Sequence, residues 1–220
     1  HLLQAGQVET AIAPLLGGVE QRLVTMGPGA ALSLLDTTTR AMLDMGLPET
    51  DKRWGRVWTV SARIHLAMGA TDTAARFHAR VLEASQANGW RGAELHAVYG
   101  EFQRFLMEGE LDQAGKMLDR LLERANAAGN DRQMGLAHLG RGRLHHLKGA
   151  SREAVAELEV AIPLLARDPI EQANARLELA RARNSAGEDA LTDYESALKA
   201  LTDLGLGRPV ADTNAELGTL

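Results

Sequence analysis

The stretch GRLHHLKGASREAVAELEVAI, residues 142–162, governs how the rest of the chain is read. Gly149 divides it. Gly142 stands seven residues before that glycine; Ala154 follows it by five, Leu158 comes four later and Ala161 three later again. Spacings of three, four and seven keep side chains on one face of a helix, so the stretch predicts two helices joined by a turn at Gly149. A glycine just past a helix end takes the left-handed conformation at little steric cost. The small residues on one helix and the larger ones on the next predict close packing across the hairpin.

The same pattern recurs on both sides. Gly69, Ala74, His78 and Val81 repeat it, as do Gly109, Ala114, Leu118 and Leu121. In ARNSAGEDALTDYESAL (182–198) the steps Ala190, Tyr194 and Ala197 are kept, but Gly187 precedes Ala190 by only three, so two loop residues are lost there. Small residues seven before the turn glycine return at Ala62 and Ala180. Gly27, Gly46, Gly69, Gly89, Gly109, Gly129, Gly149, Gly187 and Gly205 recur about every 20 residues, with Gly6 one interval earlier and Pro169 in the one vacancy. Pro28, Pro48, Pro169 and Pro209 lie at or beside these boundaries, whereas Pro14 and Pro163 are expected to bend or interrupt their helices. The punctuation predicts helices at 8–26, 30–45, 49–68, 71–88, 90–108, 111–128, 131–148, 151–167, 170–186, 189–204 and 209–219. Short loops make consecutive helices antiparallel.

Composition agrees with an all-α chain. Of 220 residues, Ala and Leu supply 70, while Val, Ile, Phe, Tyr and Trp supply 22, a balance that favours helix over sheet. A net charge of −5 argues against phosphate neutralisation as the main work. With no cysteine, disulfides, thiolate metal sites and cysteine nucleophiles are impossible. No apolar run is long enough to span a membrane and the first residues lack a signal peptide, so a cytoplasmic location is expected. The opening at His1, running into Leu2 and Leu3, is that expected of a piece of a longer protein.

The segments 142–162 and 182–198 resemble the second half of helix A, the turn and helix B of the tetratricopeptide repeat (TPR), and Trp58 matches that repeat's helix A aromatic. The period near 40 is similar to the long-helix variety in sensor arms of bacterial transcription activators and of multidomain kinases or ATPases. Departures exist: Ser61, Glu101 and Arg141 occupy a step normally held by Leu, and Phe102 occupies the small step. The resemblance implies an all-α, right-handed α-solenoid of antiparallel hairpins, a TPR-like superhelix of about 11 helices. It divides the chain into a divergent hairpin at 1–48, four TPR-like hairpins at 49–204 and a lone helix A at 205–220. Gly17 and Gly18 make the first hairpin the least regular, since each costs roughly 1 kcal/mol relative to Ala inside a helix.

Stacked hairpins of this family form a concave groove lined by helix A, where partners bind. Carried over step by step, the central groove register falls on Arg63, Gln103, Arg143 and Arg181. Flanking steps fall on Arg56 and Thr59, His96 and Tyr99, Leu136, Leu139 and His146, and Asn174 and Asn184. A guanidinium pairs bidentately with carboxylates, so this ladder suits an acidic protein or peptide. The competing reading is that these arginines make intramolecular pairs or lie over apolar surface.

Other features carry less. His138, His145 and His146 lack a third ligand at metal spacing. GELDQAGKM (109–117) superficially resembles a phosphate loop, but its glycines are misplaced and Met117 stands where Ser or Thr is required. GPG at 27–29 reads as a helix break, and the basic run GRGRLHHLK (140–148) as an amphipathic helix rather than a nucleic-acid site. No catalytic constellation, cofactor or metal is expected. Three functions are open: a protein-interaction module, as scaffold or sensor arm of a larger bacterial regulator; a small-ligand effector domain, with Tyr99, Phe102 and Phe105 lining a pocket; and a self-assembly element pairing two copies through Val210, Leu217 and Leu220 on the uncapped last helix.

Overall fold

The computed structural model describes residues 8–217 and contains eleven α-helices among them. They are α1 (Val8–Thr25), α2 (Pro28–Asp44), α3 (Lys52–Ala67), α4 (Thr71–Asn88), α5 (Arg91–Met107), α6 (Leu111–Ala127), α7 (Asp131–Leu147), α8 (Ser151–Leu164), α9 (Pro169–Ser185), α10 (Leu191–Asp203) and α11 (Gly207–Leu217). No strand occurs among the described residues. The chain forms two compact units that divide between Glu108 and Gly109, so α1 to α5 build unit 1 and α6 to α11 build unit 2.

The nine recurring glycines that predicted the helix ends are the residues with positive φ among the described ones. Gly89 illustrates why: at φ 71° and ψ 29° it closes α4 by donating its N–H to the Ser85 carbonyl, a conformation that costs other residues steric strain. Side-chain caps start three helices, with Asp51, Asn130 and Asp168 accepting the N–H of Arg53, Gln133 and Glu171. Pro169 opens α9, where its missing N–H leaves no helical bond unmade. α1 runs on through Pro14 without a break, so of the expected bend or interruption the interruption does not occur. Pro163 sits in the last turn of α8, which stops at Leu164 rather than at 167.

In unit 1, α1 packs on α2 and α3 on α4, while α3 also packs on α1 and α5. Its core gathers Ile12, Leu16, Leu35, Met42, Trp54, Trp58, Val60, Ile64 and Val81. In unit 2, α7 packs on α8 and α9 on α10, and α7 touches α9. Its C-terminal core joins Leu177, Ala180, Tyr194, Ala197 and Leu201, against which Val210 packs. The small-against-large rule holds at Gly142, where a Cβ would stand 2.5 Å from Leu158 Cγ. In unit 1 the close approach falls instead at Gly100, whose missing Cβ leaves room for the His78 ring. Phe102, at the step expected to be small, is therefore free to be a fully buried core residue.

Candidate functional site

Within unit 1, α1, α3 and the start of α5 enclose a cavity of about 550 Å³. Ile12, Leu16, Val60, Trp90 and Ala93 give it an apolar lining, and Lys52, Arg53, Arg56, Arg63 and Arg91 ring it with cations. Glu20 is the acidic residue in that lining. Arg56 reaches Glu20 at 3.1 Å, and Arg53 reaches its own helix cap Asp51 at 2.7 Å. The Arg53 hydrogen bonds hold the Asp51 carboxyl down at about 2. Arg63 is exposed and, like Arg91, makes no side-chain hydrogen bond or ion pair with any described residue. Thr59 lies in the lining with its hydroxyl donated to the Gly55 carbonyl at 2.7 Å, and His96 is exposed at the cavity.

The wall at Trp90 is built from behind. All three tryptophans of the chain belong to one cluster: Trp54 and Trp58 are stacked at 6.0 Å, and Trp58 meets Trp90 at 6.2 Å in a tilted pair. The Arg80 guanidinium lies 4.2 Å from the Trp58 ring centre, a cation–π contact that closes the outer side of the cluster. Gly55 makes room for this arrangement, since a Cβ there would lie 2.9 Å from Trp90 Cε3.

Unit 2 arranges its arginines differently. Arg143 Nε donates to Glu178 at 3.0 Å, Arg181 reaches the same carboxylate at 3.4 Å, and Arg181 also binds Glu216 on α11 at 2.5 Å. The Arg143–Glu178 and Arg181–Glu216 pairs bridge residues 35 apart, linking α7 to α9 and α9 to α11. The Arg181 hydrogen bonds hold the Glu216 carboxyl below its usual range against the opposing effect of burial. Burial, with the Glu216 charge and hydrogen bond, pushes the Tyr194 hydroxyl up to about 12.

The remaining groove candidates scatter. Tyr99 faces the interior of unit 1, 5.6 Å from the Phe102 ring, and Leu136 and Leu139 are buried in unit 2, so these three are turned away from an open groove. The helix face that carries them is the one packed on neighbouring helices. Gln103 is half-buried and lies outside the cavity lining. Asn174 donates to Glu171 at 3.2 Å, Asn184 is exposed, and His146 is half-buried with Nδ1 unbonded among the described residues. Phe105 carries the Arg104 guanidinium over its ring at 4.1 Å and, like Tyr99 and Phe102, does not line the cavity. His138 Nδ1 meets Glu157 at 2.6 Å, and among the described residues no three His, Cys, Asp or Glu side chains gather at metal-binding distance. No helix among the described residues is long and apolar enough to cross a membrane. On the last helix, Val210 packs inward, while the Leu217 side chain and Leu220 lie outside the described residues.

Sequence reasoning missed Gly55, Trp90 and Arg91. The available signal was a glycine inside the strong helix KRWGRVW together with a tryptophan directly after the turn glycine Gly89.

The architecture of helical hairpins closed by left-handed glycines is the TPR-like solenoid fold, all α. Solved structures agree. A thermophilic TPR protein of Thermus thermophilus, TTC0263, superposes with a TM-score of 0.62 at 22% identity over 93% of this chain and 99% of its own. The apo form of RapI gives 0.61 at 12% identity, covering 94% and 72%. BtubC (BKLC) from P. vanneervenii gives 0.58 at 16% identity, covering 90% and 92%. No family model matches the sequence, and no curated protein matches it significantly.

Proposed function

We propose that this chain is a protein-interaction module, a scaffold or sensor arm of a larger bacterial regulatory protein, that receives an acidic partner on the helix A face of unit 1. One observation carries the reading: the cavity between α1, α3 and α5 is ringed by cations of which Arg63 and Arg91 have no carboxylate partner among the described residues. In a chain of net charge −5, a local surplus of unneutralised guanidinium groups beside an apolar cavity favours a partner that brings carboxylates. TPR-like folds present such faces, but the argument rests on the site.

Capture from host lysate by the wild-type module, an Arg63→Glu/Arg91→Glu double variant and an Arg181→Glu variant tests it, once circular dichroism shows all three folded. The proposal expects partners held by wild type and Arg181→Glu and released by the double variant. Retention by the double variant contradicts it. A second reading, a small-ligand effector site, has one observation in its favour, since about 550 Å³ falls within the size range of small-molecule pockets. A metabolite that raises the melting temperature of wild type but not of the double variant favours that reading.

A further inference from the structure

We infer that the unit 1 cavity binds a small amphiphilic dianion, an apolar body carrying a phosphate monoester or a pair of carboxylates, and that this ligand takes up the cations offered to a protein partner. The inference rests on the small-ligand reading above for its site and on the interaction reading for its consequence. Its first support is the charge left over. Five cations line the cavity. Arg53 holds Asp51 and Arg56 holds Glu20. Lys52, Arg63 and Arg91 are exposed, and their side chains make no hydrogen bond or ion pair with any described residue. Lys52 stands beside Asp51, but that carboxylate is already clasped by Arg53. A monoanion answers one of these three charges, whereas a dianion answers two at once through charge-assisted hydrogen bonds.

The second support is the separation of charge and apolar surface by depth. Ile12, Leu16 and Val60 are each 1% exposed, so the floor is closed apolar packing. The three open cations are exposed and stand at the mouth. On α3, Lys52, Arg56, Val60 and Arg63 follow at steps of four, four and three, so one helix face carries cations on both sides of an apolar residue. A ligand therefore enters apolar end first and leaves its charge among the cations. Water over an apolar floor finds few partners, and an alkyl or aryl body displaces it at a gain.

The side wall is formed before any ligand arrives. Gly55 leaves room for the Trp90 ring against α3, and Trp58 braces it. The volume of about 550 Å³ suits a small molecule. A peptide backbone is matched less well, because among the described residues no Asn or Gln side chain lines the cavity and the Thr59 hydroxyl is donated to Gly55.

The whole chain reports binding through its own tryptophans, all of which lie in the cluster behind the cavity. Hexyl phosphate and butylmalonate are titrated to low millimolar concentration at about pH 8, where both are dianions, while tryptophan emission and calorimetric heat are followed. Hexanoate, inorganic phosphate and hexanol serve as controls that lack the second charge, the body and all charge. Saturable binding of at least one dianion is expected, about tenfold or more tighter than any control, and the tighter of the two names the head group. A Lys52→Gln/Arg63→Gln/Arg91→Gln triple variant with the wild-type circular dichroism spectrum is expected to lose about tenfold or more, while Lys116→Gln/Arg152→Gln, which removes exposed cations of unit 2, binds as wild type does. A saturating dianion is further expected to release partners captured from lysate. A control that binds as tightly as the dianions, unchanged binding in the triple variant, or an equal loss in the unit 2 variant overturns the inference. If neither dianion binds while lysate capture still depends on Arg63 and Arg91, the ligand inference fails and the interaction reading stands. Partners that stay captured at saturation overturn the competition, and capture independent of those arginines defeats the interaction reading itself.

Discussion

Arg63 in unit 1 and Arg181 in unit 2 occupy corresponding steps of the repeat, and they meet different surroundings. Arg63 lines a cavity and forms no ion pair with any described residue. Arg181 is clasped by Glu216 and shares Glu178 with Arg143, in pairs that tie each A helix to the next. The same residue type thus stands unpaired in one unit and ties helices together in the other. Charge on a repeat face is not a property of the arginine; it depends on whether the next helix offers an acid about 35 residues on. In unit 1 the step that corresponds to Glu178, three before the next groove position Gln103, is Gly100, which has no side chain, so no acid answers.

The largest effects come from packing, where the comparison can be broken outright. Gly100→Ala in unit 1 pushes a methyl group into the His78 ring, which is fully buried and held by Glu101 at 2.7 Å. Overpacking of this kind costs about 3 kcal/mol, to be read from urea unfolding. Gly142→Ala in unit 2 meets the Leu158 side chain and costs about 2 kcal/mol by the same measurement. If either substitution is neutral, the close approaches that set the hairpin geometry are not as described.

Next comes the ion-pair chain of unit 2. Glu178→Gln weakens two pairs at once at a carboxylate whose side chain is 15% exposed, and is expected to cost about 1 kcal/mol. Glu216→Gln sharpens the point through pH. The Glu216 carboxyl is held below its usual 4.5 in the folded chain, so its contribution is present above about pH 4.5 and disappears as pH falls through the lowered value. Wild type is therefore more stable than Glu216→Gln at pH 7, and the difference closes in acid. Glu101 in unit 1 follows the same sign: burial raises its pKa, but hydrogen bonds with His78 and Arg104 outweigh burial and lower it.

The smallest effect is a gain. Gly17 sits inside α1 with nothing within 4 Å of where a Cβ would lie, so Gly17→Ala is expected to stabilise by about 0.5–1 kcal/mol.

The helices and their turns were legible in the sequence because a glycine at a helix end is a local demand. The nine turn glycines and the small-against-large step at Gly142 and Leu158 declare themselves by spacing alone. The site was legible only in part. Arg56, Arg63, His96 and Thr59 fall at the cavity, but Tyr99, Leu136 and Leu139 turn inward, because a helix residue's facing depends on the rotation that its neighbours impose. Gly55 and Trp90 shape the cavity through a contact 35 residues apart in sequence, which no local pattern encodes. Whether an arginine is partnered likewise depends on a residue one repeat away.

Thermal unfolding of Arg63→Glu beside Arg181→Glu tests the division between the units most directly. The account predicts that Arg63→Glu keeps the wild-type melting temperature within about 1 °C, since it removes no intramolecular bond. Arg181→Glu places a third carboxylate beside Glu178 and Glu216 and is predicted to lower it by about 4–8 °C, equivalent to about 2 kcal/mol in a chain of this size. A larger drop for Arg63→Glu, or equal drops for both, would contradict the assignment of an open arginine to unit 1 and a structural one to unit 2.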